Sequence, residues 1–311
     1  MVFPIVSMHT DLQFEKALEK GGISFLKNEK LSAHSTFRIG GEADFFLSPS
    51  GPEELGTCVR LCLQNGIRSW IVGNGSNTLF SDKGFRGAVI EMKHMSRLEI
   101  RGTELTAQAG VMMPVLCEKA RRASLDGVNF AIGIPGTLGG AVAMNSGCYG
   151  QCMADIVKCV TVFDSEEGVF RSLERKDLSF GTRDSVFLHR PSWILCEATL
   201  ELAKGCREDL YAQAEEFRQK RSSTQPLDKP SAGSVFKRAE GQEPVSKLVD
   251  LLGFKGVRIG DAAVSEKHAG FIVNEGKATQ EDVLALVRKI QQAVSDAYGF
   301  IPEPEIRIVG E

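Results

Sequence analysis

The chain has no marked excess of either charge, no apolar run of membrane-spanning length, no closely paired cysteines and no Rossmann-type nucleotide fingerprint. Its 37 lysines and arginines against 40 aspartates and glutamates give a formal charge of -3. The basic residues are dispersed along the sequence, so the electrostatic footprint of a nucleic-acid binder is missing. No segment approaches the ~18 consecutive apolar residues of a spanning helix, and insertion in a membrane is not expected. The opening residues include Asp11, Glu15 and Glu19 instead of the basic and then apolar order of a secretion signal. None of the eight cysteines stands in a CxxC pair, which argues against a zinc site. Cys58 and Cys62, four apart in a helical pattern, read as buried free thiols. A reducing cytoplasm is the compartment this usage implies. No internal repeat and no low-complexity linker interrupts the chain.

What is present is length and glycine. At 311 residues and 42% hydrophobic, the chain can bury a substantial core, with two domains expected and room for a third. Its clearest stretch is Ile-Pro-Gly-Thr-Leu-Gly-Gly-Ala-Val-Ala-Met-Asn-Ser-Gly at 134–147, where Gly136, Gly139, Gly140 and Gly147 leave the backbone nearly bare. Such a backbone lets a large flat ligand approach, and consecutive N–H groups in its turns can converge on an anion. A second run, Gly73-Asn-Gly-Ser-Asn77, follows the apolar Trp70-Ile-Val72 like an amide-rich loop after a strand. Together the two runs suit a dinucleotide cofactor. Ordinary turns are the plain alternative in a chain with 32 glycines. The segment after Gly75 lacks the helical pattern and distal acid of a Rossmann fingerprint, so a dinucleotide would sit on another fold.

Taken in order, Thr10 with Gln13 reads as a capping box opening a short amphipathic helix to Glu19. A strand is expected over 43–47, and a helix over 52–64 that starts on proline and acids and stops at Asn65-Gly66. Strands follow over 68–72, 87–92 and 98–109, and a helix over 113–123, making the first half mixed α/β. Beyond Gly147, strands are expected over 156–163 and 193–202, with a polar turn at 165–168 and a connector, 178–187, holding Arg183 between apolar anchors. A charged helix covers 207–221. The last third carries helices over 245–252 and 280–298, the latter capped by Thr279 with Asp282, and closes on a strand at 305–309.

Read as a set, these motifs resemble the UDP-N-acetylenolpyruvoylglucosamine reductases. The resemblance rests on Thr-Phe-Arg-Ile-Gly-Gly at 36–41, Gly-Asn-Gly-Ser-Asn at 73–77, the glycine-rich 133–150, Phe-Gly-Thr-Arg at 180–183, residues 230–237, residues 267–274, and Pro-Glu-Ile-Arg at 304–307. It covers most of the chain and implies an α+β fold: a vanillyl-alcohol-oxidase-type (PCMH) FAD-binding region over 1–205, in two lobes near 1–95 and 96–205. A C-terminal α+β substrate domain would cover 206–311, with its last strand returning to the active site. The implied activity is that of a flavoenzyme with non-covalent FAD, carrying hydride from NADPH to UDP-N-acetylglucosamine enolpyruvate in peptidoglycan synthesis. A monomer is expected.

By family position, Arg183, Ser234 and Glu305 are catalytic. The chemistry agrees, because hydride addition to an enol ether conjugated to a carboxylate loads negative charge on the carbon bearing that carboxylate, which needs a cation and an acid. FAD contacts are expected from Arg38, Gly73, Asn74, Gly75, Ser76 and Asn77, from Pro135, Gly136, Thr137, Gly139, Gly140, Ala141 and Asn145, and from Arg307. From its own residues Arg38, beside two glycines, could meet a phosphate, but an exposed loop arginine is the commoner case. Candidates for the UDP moiety are Arg221, Lys229, Lys237 and Arg238, with Asn274 and His268 near the sugar or pyrophosphate; His268 reads equally as a hydrogen-bonded buried histidine. Two departures stand out: Thr182 where the family usually has tyrosine, and Asp261, which adds negative charge near an anion site. The missing extra loop after Phe187 matches the shorter class of the family.

Overall fold

A computed structural model describes residues 8–238 and 241–310. Contacts divide these into two units, neither of them continuous in sequence. The first holds the described residues up to Glu29 together with Ala43–Gly73 and Arg86–Ala214; the second holds Lys30–Glu42, Asn74–Phe85 and the described residues from Glu215 onward.

The first unit contains a four-stranded sheet in the order Phe25–Lys30, Glu42–Leu47, Phe85–Glu91, Ser69–Val72, the last pair parallel. Helix Pro52–Gln64 has the bounds its sequence announces: proline in its first turn, Glu53 and Glu54 beside it, and Asn65 and the left-handed Gly66 at its end. It buries Leu55, Cys58, Val59 and Cys62. Helix Met8–Lys20 inserts Phe14 edge-on against Phe45, ring centroids 4.9 Å apart. Thr10 falls within this helix, and its side chain, with the capping box read there, lies outside what the structure describes.

A five-stranded antiparallel sheet completes the unit, in the order Val169–Glu174, Val157–Asp164, Trp193–Glu201, Glu104–Gln108, Leu98–Arg101. Strand Val169–Glu174 is absent from the sequence expectations, which ended at the turn before it. Buried Asp164 fixes that turn by accepting from Arg171 Nε and Trp193 Nε1, both at 3.0 Å. Cys58 and Cys62 are buried free thiols as expected, and so are Cys117 and Cys196; Cys148, Cys152 and Cys159 are half-buried and Cys206 is exposed.

The second unit has one apolar core to which distant segments contribute. Phe37, Ile39 and Leu79 pack with Val235, Phe236, Leu248, Val264, Ile272 and the stripe Val283, Leu286, Val287, Ile290 and Val294. That stripe belongs to helix Gln280–Tyr298, where Thr279 Oγ1 accepts from Asp282 N at 3.1 Å and Asp282 returns the bond to Thr279 N at 2.9 Å. The helix covers an antiparallel sheet in the order Ser231–Ser234, Phe271–Asn274, Ala262–Val264, Arg258–Ile259. Strand Arg307–Val309 pairs in parallel with Thr78–Phe80.

Candidate active site

The sites marked in the sequence fall into two groups, one in each unit. In the second unit they form a continuous network. The loop at 36–41 is pinned twice, by Thr36 Oγ1 donating to Ser231 O at 2.7 Å and by Asn274 Nδ2 donating to Phe37 O at 3.1 Å. Between these pins Arg38 is exposed and left-handed at φ 57°. The loop at 74–77 is tied at its far end to the closing strand: Asn77 Nδ2 donates to Glu305 O at 3.1 Å and Arg307 N to Asn77 O at 2.8 Å. Gly75 is required by the fold itself, since a Cβ there would lie 2.3 Å from the His34 carbonyl oxygen.

Ser234 ends its strand behind a bulge. Ser231 pairs with Val273 and Ser234 with Phe271, so the strand carries one more residue than its partner, and Gly233 takes up the irregularity at φ 79°. Bulges of this kind re-aim the side chain that follows them. Immediately beyond, Glu305 N donates to Val235 O at 2.7 Å, Lys237 N donates to Glu303 O at 2.9 Å, and Phe236 bridges Pro304. Ser234 and Glu305, distant in sequence, therefore lie on neighbouring extended segments. Both side chains are partly exposed.

Among the substrate candidates, Lys237 Nζ pairs with Glu303 at 2.6 Å and Lys229 Nζ with Glu275 at 2.5 Å, while Arg238 is exposed. Arg221 is half-buried in helix Arg207–Thr224. Asn274 is buried and spends its amide on the fold, accepting from Gly276 N and Ala278 N at 2.9 and 3.0 Å as well as donating to Phe37 O. It is a brace for the Arg38 loop. His268 has the surroundings of a structural histidine: Nδ1 accepts from Gly270 N at 3.1 Å, the ring stands edge-on to Phe271, and burial pushes it below its ordinary value.

In the first unit the glycine-rich segment is set by close packing. A Cβ on Gly73 would lie 2.3 Å from Thr137 Oγ1, one on Gly139 2.9 Å from Ala109 Cβ, and one on Gly147 2.5 Å from Gln151 O. Thr137 and Ala141 are buried. Gly140 differs: its Cβ would meet nothing nearer than Thr137 Oγ1 at 3.8 Å. The fold leaves this position open, and the space suits a ligand pressed against bare backbone. Pro135 and Gly136 lie just upstream of Thr137, and Gly136 O accepts from Met113 N at 3.0 Å. Asn74 and Ser76 border Gly75 in the amide-rich loop of the second unit.

Arg183 occupies the third position of a tight turn. Gly181 and Asp184 exchange backbone bonds at 3.0 and 3.3 Å, and Arg183 has φ 53°, where such a turn ordinarily takes glycine. A non-glycine residue pays about 1–2 kcal/mol for that backbone. Several bonds hold it there: Arg183 Nη2 donates to Gly147 O at 2.9 Å, Asn145 Nδ2 to Gly181 O at 2.8 Å, and Ser185 Oγ to Ala143 O at 2.6 Å. At about 0.5–1.5 kcal/mol each, they outweigh the strain. Left-handed non-glycine residues gather at functional sites, and Arg38, Asn145 and Arg183 are all of this kind. Sequence reasoning marked all three but had no signal for their backbone.

Residues 43–173 match the family model of an FAD binding domain, and residues 225–309 match that of the UDP-N-acetylenolpyruvoylglucosamine reductase C-terminal domain. The UDP-N-acetylenolpyruvoylglucosamine reductase of Caldicellulosiruptor saccharolyticus is 42% identical over 302 residues, spanning 96% of each chain. The chain belongs to the UDP-N-acetylenolpyruvoylglucosamine reductase family. The protein of that name from Caldanaerobacter subterraneus subsp. tengcongensis is also 42% identical, over 95% of this chain and 97% of its own. The solved reductase of Thermus caldophilus superposes with a TM-score of 0.78 at 32% identity, over 92% of this chain and 98% of its own. The α+β fold expected from the sequence holds, with an FAD-binding region and the family's C-terminal domain. FAD is the cofactor, and the open backbone at Gly140 fits it. Among the described residues no helix is long and apolar enough to cross a membrane.

Proposed function

We propose that this reductase converts UDP-N-acetylglucosamine enolpyruvate to UDP-N-acetylmuramate at the expense of NADPH, as a cytoplasmic monomer serving peptidoglycan synthesis. The observation that carries the reading is the bulge at Gly233 followed by the pairing of Val235 with Glu305, which gives Ser234 and Glu305 neighbouring backbones. FAD, when bound, would supply the hydride chemistry between NADPH and the enolpyruvyl group. Negative charge then develops at the carbon bearing the carboxylate. Arg183 holds that carboxylate in the direction fixed by its turn. Ser234 delivers the proton to the charged carbon, and Glu305 completes the acidic side of the site. A serine hydroxyl is a weak acid in water, so its donation depends on being held at the carbanion within positive potential, to which Lys237 and Arg238 contribute.

For FAD we assign Arg38, Gly73, Asn74, Gly75, Ser76, Asn77 and Arg307, together with the backbone of Pro135, Gly136, Thr137, Gly139, Gly140 and Ala141. For the diphosphate we assign Arg221, Lys237 and Arg238. Asn274 and His268 are braces behind these groups. Asp261, which the sequence set against anion binding, accepts from Lys277 N at 2.9 Å and lies 3.6 Å from Arg258, so its charge is engaged within the unit. A flavin-binding protein that has lost catalysis through the Thr182 and Asp261 departures is the competing reading, and this engagement of Asp261 weakens it. The test is one cuvette: oxidised-flavin bands that bleach with anaerobic NADPH and return with the enolpyruvyl substrate support the function, and bands that bleach without returning refute it. Ser234→Ala is expected to leave the bleaching rate near that of the parent and slow the return by orders of magnitude in stopped flow; equal slowing of both would remove Ser234 from the proton step.

A further inference from the structure

Arg183 is held by the glycine-rich segment, and one residue of that segment faces both ways. Asn145 Nδ2 donates to Gly181 O at 2.8 Å, while Oδ1 accepts from Ala154 N at 2.9 Å. The residue is 7% exposed and stands at φ 41°. Each end of its amide holds one bond inside the first unit, and the residue is buried. Gly181 is the residue that opens the Arg183 turn, and its own carbonyl also receives the Asp184 N–H that closes the turn. The clamp therefore acts on the carbonyl about which the turn is built.

Building on the role given to Arg183 above, we propose that Asn145 is a positioning residue for Arg183: it clamps the Gly181 carbonyl and so sets the direction of the guanidinium, without touching the cofactor. Asparagine suits the position because it tolerates left-handed backbone and offers a donor and an acceptor on one planar group. Ser185, fully buried, adds a second tether on the other side of the turn through the Ala143 carbonyl. The segment matched to FAD binding and the turn carrying the carboxylate-holding arginine thus form one mechanical piece.

Two substitutions isolate the clamp. Asn145→Asp keeps the shape, the acceptor for Ala154 and the tolerance of positive φ, but sets a carboxylate oxygen against the Gly181 carbonyl. Asn145→Gly removes the side chain without backbone strain. In the holoenzyme, Asn145→Asp is expected to slow flavin reoxidation by the enolpyruvyl substrate about 5- to 150-fold, the range for one lost buried hydrogen bond. In an Arg183→Ala background the same change should add less than about threefold, because residues acting through one another are not additive. Independently of turnover, trypsin should cut the full-length variants faster after Arg183, with cleavage at other exposed basic residues unchanged. Additive slowing in the double variant overturns the proposal, as does cleavage at Arg183 at the parent rate. Loss of FAD from Asn145→Asp with normal reoxidation once FAD is restored would also overturn it, making Asn145 a direct cofactor ligand. An Arg183→Ala enzyme that reoxidises at the parent rate would refute the role of Arg183 itself, and the tryptic comparison would then decide the clamp alone.

Discussion

Replacing Gly233 by alanine should separate the geometry of the bulge from the chemistry of the serine beside it. A Cβ at Gly233 would meet nothing within 4 Å, so no clash arises and the whole penalty comes from the backbone at φ 79°. For alanine that penalty is about 1–2 kcal/mol, partly offset because glycine has more freedom to lose on folding. Gly299, at φ 77° with nothing within 4 Å, ends helix Gln280–Tyr298 in the same unit and supplies a matched control. Both variants should lose about 1 kcal/mol, seen as a shift of a few degrees in Tm. Their catalysis should differ. The bulge can relieve its strain by slipping, which turns the following side chain toward the other face of the sheet, and a displacement of about 1 Å at a reacting group can cost a hundredfold in rate. Stopped-flow reoxidation of the reduced enzyme by the enolpyruvyl substrate is the assay. Gly233→Ala should be slow and Gly299→Ala should match the parent. Equal rates in the two variants would refute the idea that the bulge aims Ser234.

Other consequences follow from single contacts. Asn274→Ala removes one bond to the Arg38 loop and two to Gly276 and Ala278; unsatisfied buried partners should cost about 1–3 kcal/mol in denaturant unfolding, with weaker FAD retention on gel filtration. Hydrogen bonds from Arg121 and then Arg122 hold the Glu118 carboxyl down at about 2. A lowered carboxyl stabilises the fold fully above its ordinary range and loses that contribution as pH falls toward 2. Glu118→Gln should therefore flatten the dependence of Tm on pH between about 5 and 2, leaving neutral stability lower than the parent's; an unchanged slope would dismiss the pair. Burial pushes the Cys58, Cys62, Cys117 and Cys196 thiols up to about 12, so a disulfide reagent should label Cys206 in the native protein and these four only after unfolding.

What was legible in the sequence was what is local. Helix Pro52–Gln64 and helix Gln280–Tyr298 carry their own start and stop residues, and their bounds agree with the expectation residue for residue. The strand at 169–174 has Arg171 and Ser172 interrupting its apolar residues, which blurs the alternation that would mark a strand. For the site, motif order marked Arg183, Ser234 and Glu305, but the features that hold them are set by tertiary contact: a bulge, a strained turn, and a pairing with Val235. Asn145 and Asn274 read as ligand contacts because an amide in a loop serves a ligand or a backbone equally well, and the fold shows the backbone bonds that each one makes.

The interleaving of the two units bears on how the protein is made. The second unit draws on segments 30–42 and 74–85 as well as the C-terminal third, and Asn77 meets Glu305 across 228 residues of chain. A ribosome adding about 5–20 residues per second leaves Thr78–Phe80 without its parallel partner for roughly 10–45 seconds. During that interval Phe37, Ile39 and Leu79 have no core to enter. Slow codons or a stalled ribosome after residue 214 would lengthen the exposure of these apolar residues, which makes that stretch of the message the place where synthesis rate should govern the yield of folded enzyme.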